Sequence, residues 1–171
     1  MYIKTERLEL KPLSDKDRDN MVELLTNNEI KKTYMLPDFE NKEQAEKLFL
    51  RLKEASLAEK VYQVGIFLNG EVIGYANEVE RVGQTIELGY MIHPKHHNQG
   101  YGTEMLKAVI EEMFARGFTE VLTGAFEENP ASLRIMEKSG MIRIDKTDEI
   151  EYRGRIHKCV YYVKHNHHIM G

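Results

Sequence analysis

Thr85-Ile86-Glu87-Leu88-Gly89-Tyr90-Met91-Ile92-His93-Pro94-Lys95-His96-His97-Asn98-Gln99-Gly100-Tyr101-Gly102-Thr103 is the stretch on which the fold turns. It opens as a β-rich run over 85–93, and Gly89 in its middle hints at a bulge or a close backbone approach. A polar loop, 95–99, leads into Gly100-Tyr101-Gly102-Thr103. A helix follows, because Met105, Leu106, Val109, Ile110, Met113 and Phe114 share one apolar stripe. Gly117 is placed to stop it. Residues 119–126 are again β-rich. Strand, helix and strand in this order make a βαβ crossover, which predicts two parallel strands in one sheet.

Outward from this stretch the signals are local. Asn129-Pro130 reads as a cap followed by proline at the first helical position, with the helix closed by Gly140. Two last strands, 141–152 and 155–164, turn at Arg153-Gly154. Upstream, Asn69-Gly70 joins strands 61–68 and 71–80 as a hairpin, since both residues tolerate positive φ. Asn41 opens a helix with Ala45, Leu48, Phe49 and Leu52 on one face. Ser14 with Asp17 starts another, carrying Met21, Val22, Leu24 and Leu25. Residues 3–11 read as a first strand. No repeat, low-complexity segment or linker divides the chain, so one domain over 1–171 is expected. Its architecture is a mixed, mostly antiparallel sheet with one central parallel pair, flanked by helices.

Composition narrows the function. The net charge of -4 argues against general binding to nucleic acid, and no basic face with interleaved aromatics suggests an RNA-binding domain. The single cysteine, Cys159, precludes an internal disulfide and points to the cytoplasm. Its strand setting reads as a buried structural thiol rather than a nucleophile. No apolar run approaches the roughly 20 residues that span a bilayer, and Met1-Tyr2-Ile3-Lys4 opens no leader core, so no membrane partner is expected. The tail His165-Asn166-His167-His168 reads as a frayed polar end. His93, His96 and His97 follow a strand in poor ligand geometry, and no metal is expected.

The loop before the helix carries the chemistry. Glycines at 100 and 102 let the backbone come close to an anion, and the start of a helix presents unpaired N–H groups at the positive end of its dipole. Lys95, His96 and His97 add positive potential. The plain alternative is a tight turn that merely starts a helix. A nucleotide P-loop would need Lys-Ser/Thr after its glycine, and a dinucleotide fingerprint would need Gly or Ala where Met105 stands.

The runs Glu87-Leu88-Gly89-Tyr90-Met91-Ile92-His93-Pro94 and His97-Asn98-Gln99-Gly100-Tyr101-Gly102-Thr103-Glu104 resemble the coenzyme A-binding motif of the GNAT acetyltransferase superfamily, [RQ]-x-x-G-x-[GA]. Asn129-Pro130-Ala131-Ser132-Leu133-Arg134-Ile135-Met136-Glu137-Lys138-Ser139-Gly140-Met141 resembles its next motif. Thr5-Glu6-Arg7-Leu8-Glu9-Leu10 and the order of elements resemble the ribosomal-protein alanine N-acetyltransferase-like branch. Two positions depart from the pattern. His97 stands where Arg or Gln is common, and Met136 stands where many members carry a tyrosine that protonates the leaving thiolate.

The resemblance implies the acyl-CoA N-acyltransferase fold and direct attack of an amine on the thioester of acetyl-CoA. It places the diphosphate on His97, Asn98, Gln99, Gly100, Tyr101, Gly102 and Thr103, and the pantetheine arm along backbone groups of Met91, Ile92 and His93, beside Asn129. Backbone N–H near Met91 or Ile92 would polarise the carbonyl. Glu87, between Ile86 and Leu88 and so on the opposite face from both, is the leading base; a solvated strand glutamate is the alternative. Glu127 and Glu128 are reserve bases, and a water chain would serve without any. Asn129 is equally adequate as a plain helix cap. Ser132 is the candidate acid in place of Met136. The acceptor pocket would draw on the N-terminal helices and the last hairpin, where Asp38, Glu40, Glu43 and Asp148 mix with Tyr34, Phe39 and Tyr152. The acceptor is an amine: a protein N-terminus, a polyamine-like metabolite or an antibiotic. The alternative from another class is an acyl-CoA-binding module without chemistry. A monomer or a homodimer fits equally.

Overall fold

The computed structural model describes residues 2–167, so His168 of the tail lies outside the described residues. Among them run strands β1 (Ile3–Lys4), β2 (Leu8–Lys11), β3 (Gln63–Leu68), β4 (Glu71–Val82), β5 (Thr85–Ile92), β6 (Glu120–Phe126), β7 (Ile142–Tyr152) and β8 (Arg155–His165). The helices are α1 (Arg18–Thr26), α2 (Asn28–Lys31), α3 (Lys42–Ala58), α4 (Tyr101–Ala115) and α5 (Pro130–Lys138). The strands form one sheet in the order β1-β2-β3-β4-β5-β6-β8-β7. The β5–β6 pair is parallel, as the crossover predicts. The β1–β2, β2–β3, β3–β4, β6–β8 and β7–β8 pairs are antiparallel. The chain divides into two compact units, Met1–Asn77 with Tyr90–Tyr101, and Glu78–Gly89 with Gly102–Gly171.

In the first unit, residues 3–11 form two strands rather than the single one expected. Thr5 N–H donates to the Leu8 carbonyl (2.9 Å) and Leu8 N–H donates to Thr5 Oγ1 (3.0 Å), closing a turn that folds β1 back on β2. Ser14 N–H donates to Asp17 Oδ2 (2.8 Å) at the expected helix start, and a single 3-10 turn leads into α1. The short α2 escaped the sequence reading; Asn27 caps it, accepting from Glu29 N–H (2.9 Å) and Ile30 N–H (3.2 Å). Asn41 caps α3 as expected, accepting from Gln44 N–H (3.0 Å). Met21, Leu24, Leu25, Phe49, Phe67, Tyr75 and Met91 belong to one buried cluster.

Asn69 and Gly70 turn β3 into β4 at φ 51° and 84°. Ile66 pairs with Gly74 but Phe67 with Val72, so Ile73 is the extra residue of a β-bulge. The Ile73 carbonyl accepts the N–H of His93 (2.7 Å). Beside it, a Cβ at Gly74 would lie 2.3 Å from the Met91 carbonyl oxygen. The bulge and the glycine together fix where β5 ends and the loop after it begins.

In the second unit, β5 pairs with β6 from Thr85↔Glu120 to Leu88↔Thr123, and β6 runs on to Phe126. Helix α4 buries Met105, Leu106, Val109, Ile110 and Met113, and Gly117 ends it at φ 98°. Arg153 and Gly154 make the hairpin turn between β7 and β8 at φ 52° and 77°. The tail is not frayed where the sequence suggested it. His165 pairs with Glu120, and Asn166 is buried, its N–H donating to the Thr119 carbonyl (2.8 Å) and its Nδ2 to the Phe118 carbonyl (3.3 Å).

Candidate active site

The loop from His93 to Thr103 contains no carboxylate. His93 Nδ1 accepts the N–H of Lys95 (3.1 Å), which leaves the proton on Nε2, 2.6 Å from Glu23 Oε2 of α1. His97, the first motif departure, turns its Nε2 back to the Ile92 carbonyl at 2.6 Å and must donate there. Burial, with Lys95 and His93 nearby, pushes the His96 pKa below its ordinary value, so at neutral pH this ring is mainly uncharged.

Two residues give the loop its reversed path. Asn98 stands at φ 60° and Gly100 at φ 85°. Gln99 Nε2 donates to the Lys95 carbonyl (3.1 Å), and Arg7 Nη1 donates to the Gln99 carbonyl (2.9 Å). Tyr101 starts α4, and helix geometry leaves its first N–H groups without intrahelical acceptors. Gly102 is buried, and a Cβ there would meet Ile135 Cδ1 of α5 at 2.6 Å. The reversed glycine and the first-turn amides form a donor set suited to a diphosphate. The contact of Arg7 with this loop is what sequence reasoning missed.

In the second unit, Ile86 and Leu88 are buried while Glu87 is half-buried on the other face of β5. Burial raises the Glu87 pKa above its ordinary value; Lys146 opposes this, and Glu80 and Asp148 reinforce it. Tyr161 donates to Asp148 Oδ2 (2.7 Å), and Lys146 Nζ lies 4.4 Å from the centre of the Tyr161 ring. Of the acidic residues considered for the acceptor, Asp148 is the one whose charge acts on Glu87. Asp38 pairs with Lys31 (3.3 Å) in the first unit, where Tyr34 donates to Asn77 Oδ1 (2.8 Å).

The reserve bases are held elsewhere. Glu127 pairs with Arg143 (2.9 Å) and Lys158 (3.4 Å), and Glu128 with Arg155 (3.1 Å) and His157. Hydrogen bonds from these partners lower both pKa values. A carboxylate stabilised in this way is a poor base. His157 also stacks on Phe126, ring centres 4.4 Å apart.

Asn129 Oδ1 accepts the N–H of Ser132 (3.3 Å) as the cap of α5. Met136 is 0 % exposed, so the position where the resemblance led one to expect a tyrosine is sealed in the core. Cys159 is buried and its pKa is raised, mainly by burial, which keeps the thiol protonated. Among the described residues, no group of three or more His, Cys, Asp or Glu is arranged to hold a metal, and no helix is long and apolar enough to cross a membrane.

The described strands form a mixed sheet in which β5 and β6 run parallel, joined by a helix that a glycine-rich loop opens. The chain belongs to the GNAT acetyltransferase family: the family model described as acetyltransferase (GNAT) domain matches residues 7–142, a span that runs through both units. The chain is similar to YoaA, an uncharacterized N-acetyltransferase of Bacillus subtilis (strain 168), at 27% identity over 143 residues, covering 81% of each chain. Its fold is similar to that of a GNAT-family acetyltransferase from Bacillus anthracis, with a TM-score of 0.82, 23% identity, and coverage of 96% of this chain and 98% of that one. The same holds for RimL, a ribosomal L7/L12 α-N-protein acetyltransferase in complex with coenzyme A, with a TM-score of 0.83, 17% identity and coverage of 96% and 98%.

Proposed function

We propose that the chain transfers the acetyl group of acetyl-CoA to a primary amine, a protein N-terminus or a small molecule, by direct attack. The observation that carries this reading is the reversed Gly100 at the start of α4, in a loop free of carboxylates. A neighbour in fold, the RimL complex, holds coenzyme A, which supports the same ligand here.

The diphosphate is held by His97, Asn98, Gln99, Gly100, Tyr101, Gly102 and Thr103, chiefly through backbone N–H groups. Backbone groups of Met91, Ile92 and His93 run along the pantetheine arm. The amine nitrogen attacks the thioester carbon, the C–S bond breaks, and CoA leaves as a thiolate. Glu87 takes the proton the amine must lose. Its raised pKa suits this role, since a base works best near the operating pH. Met136 is buried and has no proton to give, so Ser132 offers a hydroxyl hydrogen bond to the thiolate. A thiol with a pKa near 8.5 is a tolerable leaving group with that help alone. The transferase domain spans 1–171 and acts in the cytoplasm.

The test is release of free thiol from acetyl-CoA in the presence of a panel of amines that includes N-terminal peptides and polyamines. Amine-dependent thiol release with an acetylated product supports the reading. CoA binding without turnover on any amine would return the chain to a binding module.

Asn129 offers a separate check. Asn129→Ala is expected to cost about 0.5–2 kcal/mol of stability through the lost cap. Asn129→Ser keeps an oxygen in place and is expected to melt near the wild type. If Asn129 also holds pantetheine, Asn129→Ser binds CoA more weakly despite its stability. Thermal melts beside CoA titrations separate the two roles.

A further inference from the structure

On the reading just given, the peptide joining Gln99 and Gly100 offers an N–H to the diphosphate, and its opposite end is held from far away in the sequence. Arg7 Nη1 donates to the Gln99 carbonyl at 2.9 Å across 92 residues. The Arg7 guanidinium carbon lies 4.3 Å from the centre of the Tyr101 ring. Arg7 Nη2 lies 3.1 Å from where a Cβ on Gly100 would stand. One side chain thus meets three successive residues of the loop. We propose that Arg7 is the positioning residue of the anion cradle.

The mechanism follows from peptide geometry. In a planar trans peptide the C=O and N–H point in opposite directions. Holding the Gln99 carbonyl therefore turns the Gly100 N–H to the side away from Arg7. Glycine at φ 85° has little conformational preference of its own, so without this anchor the peptide is free to flip. Stacking on Tyr101 fixes the first residue of α4 in the same act, and only a planar guanidinium can stack and donate at once. Arg7 is itself seated by the turn in which Thr5 Oγ1 accepts from Leu8 N–H (3.0 Å). His97 cannot do this work while its Nε2 is committed to the Ile92 carbonyl.

The test compares wild type, Arg7→Gln and Arg7→Lys by calorimetric titration with CoA and with pantetheine, which lacks the diphosphate. Arg7→Gln is expected to weaken CoA by about tenfold or more and leave pantetheine unchanged. The KM for acetyl-CoA rises while kcat and the KM for the amine stay near wild type. Arg7→Lys recovers part of the loss, because it donates without stacking. If Arg7→Gln does not fold, Tyr101→Leu removes the stack, and the same split between CoA and pantetheine is expected. Equal CoA affinity in wild type and variant, or equal losses for CoA and pantetheine, would overturn the proposal while leaving the acetyltransferase reading intact. A wild type that binds no CoA would overturn that reading itself, before any variant is made.

Discussion

Glu87→Gln is expected to lower kcat/KM by about 10²- to 10⁴-fold, the range for loss of a general base, and to leave CoA affinity unchanged. Burial raises the Glu87 pKa, with Glu80 and Asp148 adding to it and Lys146 working against it. A base acts only when deprotonated. In the wild type, kcat/KM should therefore fall as pH drops through this raised pKa, above the ordinary glutamate value of about 4.3. Glu87→Gln should lose that limb. Stability should move the other way. In the unfolded chain the carboxyl titrates at its ordinary value, so between the two values the native state keeps a proton that the unfolded state has lost. Stability then falls as pH rises through that window, and the deficit persists at neutral pH. Glu87→Gln removes it and is expected to melt at or above the wild-type temperature near pH 7. Steady-state kinetics across pH, with melting curves on the same preparations, check both. Activity retained near wild type, or lost together with stability, would remove Glu87 from the base role.

Gly74→Ala is expected to destabilise by about 3 kcal/mol, the upper end for forced overpacking. The new Cβ would lie 2.3 Å from the Met91 carbonyl oxygen and 3.2 Å from Ile92 Cα and from Ile66 Cδ1. A backbone oxygen cannot rotate away as a side chain can, so β4 and the end of β5 must shift apart. Because Met91 and Ile92 are the proposed pantetheine contacts, CoA affinity should fall as well. Gly102→Ala makes the contrast. Its Cβ would meet Ile135 Cδ1 at 2.6 Å, the far end of a flexible side chain. Alanine regains about 0.5–1 kcal/mol of helix preference over glycine, so the net change is expected to stay within about 1 kcal/mol. Denaturant unfolding of both variants measures the difference. Similar stabilities would show that the bulge at Ile73 is more pliable than its geometry indicates.

What the sequence made legible was local. The stripe of α4, the caps at Asn41 and Asn129, and the turns at Asn69-Gly70 and Arg153-Gly154 each rest on a few adjacent residues, and each stands where it was expected. The misses were of another kind. The turn in 3–11 closes through Thr5, which a period-two count passes over. The anchoring of Asn166 depends on carbonyls at 118 and 119. Glu127 and Glu128 looked like available bases because their partners, Arg143, Arg155, His157 and Lys158, come from a later hairpin. Arg7 was quoted for its motif, but no nearby residue tells of its grip on Gln99. Contacts of this range appear only when the chain is folded.

The measurement closest to the central claim is a calorimetric titration of the unaltered protein with CoA and, separately, pantetheine. If the amides opening α4 grip the diphosphate, CoA binds saturably and about tenfold or more tighter than pantetheine, since charge-assisted hydrogen bonds are the strong ones. CoA that binds no better than pantetheine, or not at all, would contradict the account at its base.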